Sequence, residues 1–256
     1  MAKQAIPSIV LPAKETLASA DAVSFPVPVV SEENGILTLH FQSDYVQTQM
    51  VQRAPDFLAL TYTRTMMAFE FLKSDSREIA VIGLGGGSLA KWCYRNHPGA
   101  MITVVEINPH VIALRDRFHI PKDDHRFRIL CEDGTKFVAR HANKLDVLLV
   151  DAFDVDSLPE NLCSERFYDD CYEALTDQGL LVVNLCSADE NKIFARICRS
   201  FNGQAILSPD NDGNAVIFAC KGELLWPETA SLDFLKSKLM EFEKKYNLSK
   251  AMAPVG

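Results

Sequence analysis

Four short stretches carry residues whose types and spacing suit a polar, partly cationic ligand. Ala80-Val81-Ile82-Gly83-Leu84-Gly85-Gly86-Gly87-Ser88-Leu89 passes from an apolar run through glycines into a helical pattern. Glycines let the backbone approach a ligand closely, and a helix start offers free N–H groups. About 20 residues beyond Gly83, the next apolar run ends in Val104-Val105-Glu106. An acidic residue at that distance is placed to accept both hydroxyls of a ribose. Two further acidic pairs come after later runs, in Cys131-Glu132-Asp133-Gly134 and in Val150-Asp151-Ala152-Phe153-Asp154. The first suits the amino group of an adenine, with Asp133 also able to cap a helix. The second suits the amino tail of a sulfonium donor or an incoming amine. Ribose recognition alone does not separate a nicotinamide dinucleotide from S-adenosylmethionine, and the glycine run departs from G-x-G-x-x-G at Ser88.

These carboxylates need elements that bring them to one rim. Ile79–Ile82, Ile102–Val105, Phe127–Cys131, Val147–Val150 and Leu180–Leu185 are nearly continuous in Val, Ile and Leu, as expected of strands covered on both faces. Helical patterns at Ser88–Asn96, Pro109–His119, Thr135–His141 and Ser164–Thr176 fall between them, Asn108-Pro109 being a capping Asn with Pro at the first helical position. Such alternation predicts a doubly wound parallel sheet, and in open α/β sheets ligands bind at the C-terminal strand ends. After a helix at Glu190–Phe201, Gln204–Leu207, a Ser208–Gly213 turn and Ala215–Cys220 read as a hairpin. A parallel sheet that closes with an antiparallel strand points to the S-adenosylmethionine-dependent methyltransferase-like Rossmann fold, with seven strands. Asp233–Tyr246 reads as an amphipathic helix with Phe234, Leu235, Leu239 and Phe242 on one face, its Glu243-Lys244-Lys245 run solvated.

Before the sheet, residues 1–24 show no clear period and read as a loosely ordered N-terminus. Pro7 and Pro12 interrupt the apolar stretch Ala5–Ala13, and Lys14 and Glu15 come directly after it, so it does not read as a signal peptide. Residues 25–73 form a small region. Phe25–Val30 and Ile36–Phe41 around Asn34-Gly35 predict a hairpin, and Phe57–Leu72 predicts a helix. Residues 74–256 are the nucleoside-binding domain.

The composition limits the partners. Among 256 residues, 34 acidic against 26 basic side chains give a net charge of −8, with no cation surplus to replace phosphate counterions on a nucleic acid. No run approaches the roughly 20 apolar residues that span a bilayer. Seven scattered cysteines without a C-x-x-C pair predict neither disulfides nor a metal site, and the expected compartment is the cytoplasm. The six histidines form no metal-type pair, and no serine has a nucleophile-elbow context.

The order G-L-G-G-G-S, V-V-E-I-N-P, E-D-G, L-L-V-D-A-F-D, S-E-R-F-Y and G-L-L-V-V-N resembles the polyamine (spermidine/spermine) synthases and their spermidine-synthase-like relatives. The resemblance covers about Phe25–Gly222 and is strongest from Ile79 to Asn184. It implies an aminopropyltransferase that takes decarboxylated S-adenosylmethionine as co-substrate, without a metal, and works as a homodimer to which the N-terminal hairpin contributes. It implies that Gly83, Gly85, Gly86 and Gly87 line the sulfonium side of the donor, that Glu106, with Ile107 beside it, holds the ribose, and that Asp133 and Gly134 meet the adenine. Asp151 falls at the catalytic aspartate, which accepts a proton or hydrogen bond from the attacking amine and also touches the donor. Tyr62, Asp154 and Tyr168 are candidates for the acceptor pocket, although for Tyr168 the core is the stronger reading.

The chain also departs from that pattern. The family's loop aspartate is replaced by Gly86, and its D-S-S-D-P loop reads Asp151-Ala152-Phe153-Asp154-Val155. Tyr62-Thr63-Arg64 sets an arginine where an acidic residue would greet a polyamine. An ammonium beside it would be repelled by about 1–4 kcal/mol at a separation of about 4 Å. The expectation is therefore an intact nucleoside half and an altered acceptor half. Methyl transfer from S-adenosylmethionine is the first alternative and a catalytically silent nucleoside-binding homologue the second. An NAD oxidoreductase ranks third, because of Ser88 and the closing hairpin.

Overall fold

The computed structural model describes residues 25–41, 46–153, 158–186, 189–209, 213–223 and 231–246. Alternating side-chain faces build its central sheet. Strands β4 (Glu78–Ile82), β5 (Met101–Glu106), β6 (Phe127–Cys131), β7 (Leu145–Val150) and β8 (Leu175–Leu185) are parallel, in the order β6-β5-β4-β7-β8. Ile79 and Val81 point into one core layer and Ala80 and Ile82 into the other, so both faces must be covered. The first layer holds α1 (Thr61–Met67), α2 (Ser88–Asn96), α3 (Pro109–Ile112) and α7 (Ser231–Lys245), and the second α4 (Gly134–Ala139), α5 (Glu165–Ala174) and α6 (Glu190–Ser200). The closing hairpin is present. β9 (Ala205–Pro209) pairs with β10 (Ala215–Cys220), and β10 runs antiparallel to β8 in the register Val216–Asn184. This is the expected α/β fold.

The N-terminal region is larger than a hairpin. β1 (Val29–Glu33) and β2 (Ile36–His40) meet at Asn34 and Gly35, both with positive φ, as an Asn-Gly turn requires. A third strand, β3 (Val46–Val51), pairs antiparallel with β2. It escapes sequence patterning because Gln47, Thr48 and Gln49 interrupt its apolar residues. Its inward side chains are Thr48 and Met50, and both touch the Rossmann domain. Met50 Sδ and the Phe118 carbonyl accept from the buried Lys91 Nζ at 3.3 and 2.8 Å, and burial pulls that ammonium down to about 8.

Two expected helices differ. The helix beginning at Pro109 is regular only to Ile112. Beyond it the bonds alternate between three- and four-residue spacing, and His119 takes φ +54°. The helix predicted at 57–72 starts at Thr61 and tightens into a 3-10 turn over Ala68–Phe71. The Glu243–Lys245 stretch is not simply solvated. Glu70, nearly buried, accepts from Lys245 Nζ at 3.0 Å and from the Tyr246 hydroxyl at 3.2 Å. Phe242 is fully buried against Trp92, Phe71 and Tyr246. The side chains of Phe234 and Leu235 lie outside the described residues, while Leu239 packs on the same core as Phe242. Helix α7 thus clamps the segment that carries α1. Phe242→Ala should cost about 3–5 kcal/mol, read as a lower urea midpoint for unfolding.

Candidate active site

The C-terminal ends of β4, β5, β6 and β7 open on one cavity of about 340 Å³, roofed by Leu39, Phe41, Gln47 and Thr48 from the N-terminal region. Its described lining includes Glu106, Glu132, Asp133 and Asp151 but no lysine or arginine. Such a lining suits a ligand that brings hydroxyl and amino donors or positive charge. Glu132 is held by Arg140, which leaves three carboxylates to the ligand.

The glycine turn and Asp151 are built against each other. The Gly83 N–H donates to the Val105 carbonyl at 2.8 Å, and the Asp151 N–H to the Ile82 carbonyl at 2.9 Å. Gly83 has φ +95°, and a Cβ there would stand 2.1 Å from the Asp151 carbonyl oxygen. Only a residue without a side chain lets β7 end so close to the turn. Gly85 lines the cavity, whereas Gly86 and Gly87 do not. The Gly86 N–H donates to Thr48 Oγ1 at 3.0 Å, and a Cβ on Gly86 would meet Thr48 Cγ2 at 2.2 Å and Phe118 at 2.8 Å. One on Gly87 would meet Ile120 at 2.6 Å. A side chain on either glycine would run into packing, and neither glycine is in the cavity lining.

Glu106 holds the turn as well as facing the cavity. Its Oε2 accepts from the Leu84 N–H at 2.9 Å and its Oε1 from the Asn108 N–H at 2.8 Å. Burial pushes its carboxyl up, against the pull of the Asn108, Leu84 and Ile107 N–H groups. Each oxygen keeps a second lone pair for a ribose hydroxyl. Asn108 Nδ2 donates to the Pro26 carbonyl at 2.8 Å and so draws the N-terminal segment over the cavity edge. Ile107 is 46% exposed beside it, an apolar surface for a base. Asp133 caps α4 through Oδ1, which accepts from the Thr135 N–H and hydroxyl, both at 2.8 Å. A ligand would therefore meet Oδ2. Gly134 comes next in the lining, its missing side chain making room for Ile82.

Asp151 is half-buried at the end of β7. Oδ1 accepts from Asn184 Nδ2 at 2.9 Å and Oδ2 from the Tyr62 hydroxyl at 3.3 Å. Burial raises its carboxyl to about 6, with both donors pulling the other way. Burial and the neighbouring Asp151 carboxylate push the Tyr62 hydroxyl well up, so it stays a donor. Tyr62 lines the same cavity. Asp154 lies outside the described residues. Tyr168 is in the core, fully buried between α5 and the sheet and absent from the cavity lining. At the start of α5 its position faces inward, beside Phe167 at 5.4 Å. The cation at Arg64 does not face the cavity either. Its guanidinium donates to the Leu58 and Ala59 carbonyls at 2.9 and 3.2 Å and stands 3.6 Å from Glu243. The repulsion expected from it is therefore directed elsewhere. Asn184 and Thr48 are site residues that sequence reasoning missed. Asn184 had one signal, the polar residue next to last in the otherwise apolar run Leu180–Leu185 at the rim.

With this geometry the likenesses to known proteins carry weight. Residues 59–204 match the spermine/spermidine synthase domain. The polyamine aminopropyltransferase of Neisseria meningitidis serogroup A is 34% identical over 229 residues, covering 88% of this chain and 86% of its own. This chain belongs to the spermine/spermidine synthase family. It is a transferase.

Solved structures show the same fold. A probable spermidine synthase from Corynebacterium glutamicum aligns with a TM-score of 0.70 at 16% identity, over 90% of this chain and 92% of that one. Human methyltransferase-like protein 13, solved in complex with SAH, aligns at 0.61 and 21% identity, over 77% and 95%. Glu106, Asp133 and Asp151 line the rim, and Thr48 packs against Gly86 of the glycine loop. Gly83→Ala adds a Cβ where backbone already stands and forces a left-handed conformation. It should cost about 2 kcal/mol or more, seen as a lowered urea midpoint.

Proposed function

We propose that the protein transfers an aminopropyl group from decarboxylated S-adenosylmethionine to an amine. The observation that carries this reading is Asp151, a half-buried carboxylate held among the described residues by the neutral donors Tyr62 and Asn184, next to the glycine turn and facing the cavity. The nucleoside would lie along Glu106, Ile107 and Asp133, with its sulfonium near Gly83 and Gly85 and its amino tail toward Asp151. An ammonium cannot attack. Asp151 takes a proton from the acceptor, the nitrogen lone pair attacks the propyl carbon beside sulfur, and the C–S bond breaks. Its electron pair stays on sulfur, which leaves as a neutral thioether, and the new C–N bond completes the product. Holding the nucleophile in line supplies most of the acceleration, and proton removal adds about 100- to 10,000-fold.

The reading includes a homodimer, supported by Val27, Val29 and Val46, which are 64%, 47% and 45% exposed on or beside the N-terminal sheet. A second reading is methyl transfer from S-adenosylmethionine. Gly86 favours it, because the loop presents no carboxylate to oppose a donor that keeps its own.

Calorimetric titration with both donors, methylthioadenosine and NAD separates these readings. Tighter binding of the decarboxylated donor supports aminopropyl transfer. Preference for the carboxylated donor moves methyl transfer ahead, and binding of none removes the nucleoside site. Asp151→Asn should lower turnover at least about 100-fold while donor affinity stays within a few-fold. Because the base is the ionised form, wild-type kcat should rise with pH through about 6 and level off above it. In Asp151→Asn this limb should disappear from the residual rate.

A further inference from the structure

We infer that Asn214, on the closing hairpin, is a positioning residue for Asp151, acting through Asn184. Asn184 is buried in the last part of β8, with 1% of its surface exposed. Its Nδ2 donates to Asp151 Oδ1 at 2.9 Å, and its Oδ1 accepts from Asn214 Nδ2 at 3.0 Å. The chain of bonds has a fixed direction. An ionised carboxylate only accepts, so Asn184 must turn its NH2 toward Asp151 and its carbonyl away. That carbonyl then needs a donor, since a buried amide oxygen left unpaired is costly, and Asn214 supplies it. Amide orientations are set by such networks.

The fold explains how Asn214 comes to be there. β10 runs against its neighbours, so its start, rather than its end, lies at the rim where the parallel strands finish. Ala215 pairs with Leu185 and Val216 with Asn184, and Asn214, half-buried, stands just before them. The antiparallel strand thereby adds a second row of polar support behind the carboxylate.

The groups that face Asp151 limit what else could move its titration. From α1 comes the Tyr62 hydroxyl, with the Cys186 thiol after β8 acting on Tyr62. From β4 comes the backbone of Gly83, and Glu106 stands on the same cavity.

The test titrates the Asp151 carboxyl carbon by NMR in the full-length protein, assigned by its loss in Asp151→Asn. It needs no turnover and no donor, so it stands or falls separately from the aminopropyl reading, on which only the kinetic consequence rests. Without Asn214, Asn184 is free to rotate and offer its carbonyl, which disfavours the ionised form. The Asn214→Ala midpoint should therefore rise by about one pH unit. Asn214→Asp keeps the shape but can only accept, and should raise it further. In an Asn184→Ala background both Asn214 substitutions should lose most of their effect, a non-additivity expected of coupled residues. Equal unfolding midpoints for wild type and Asn214→Asp would show that the shift is not a loss of fold. An unchanged Asp151 midpoint in Asn214→Ala, or a shift of undiminished size in the Asn184→Ala background, overturns the inference.

Discussion

A carboxylate drawn out of water with no cation beside it among the described residues has to be held by neutral donors, and half-buried Asp151 receives them from two directions. The desolvation of such a group costs several kcal/mol unless hydrogen bonds replace the lost water. Tyr62 reaches it from α1 and Asn184 from β8, so the helix layer and the far side of the sheet meet at one pair of oxygens. The support behind these donors is extensive. α1 leads into the segment of Glu70, which α7 grips through Lys245 and Tyr246, and β8 is set in register by β10. Desolvation raises the carboxyl to about 6, and the two donors hold it from rising further.

Glu106 shows the same economy at the end of β5. One residue closes β5, fixes the glycine turn through the Leu84 N–H, fixes the start of the next segment through the Asn108 N–H, and still faces the cavity. Its two backbone bonds keep the carboxylate plane from rotating. The Asn108 contact to Pro26 links that plane to the roof contributed by the N-terminal sheet. The order of the site is therefore a property of both regions of the chain.

How much of the molecule is legible in the sequence depends on how local each signal is. Strands β4 to β8, the glycine turn and the carboxylates Glu106, Asp133 and Asp151 are marked by short apolar runs and the few residues after each run. All are found where the pattern sets them. Side-chain direction depends on packing and is harder to read. Arg64 shares α1 with Tyr62 but bonds back to the Leu58 and Ala59 carbonyls, and Tyr168 turns into the core with its helix. β3 carries too few apolar residues to announce itself, because its partners are the glycine loop and a buried lysine rather than a broad core. Asn184 and Asn214 are far apart in sequence and meet only when the last strand reverses direction.

The fit between Thr48 and Gly86 binds the history of two distant positions. A methyl group from one strand fills the space a side chain on the other would need, with 2.2 Å between Cγ2 and the missing Cβ. Neither position is free to explore alternatives alone. Any larger residue in the loop requires a smaller one on β3 first, and a smaller one on β3 leaves a void until the loop responds. The two regions of the chain are therefore interlocked at this contact, and a side chain is admitted to the loop only by a matching loss on β3.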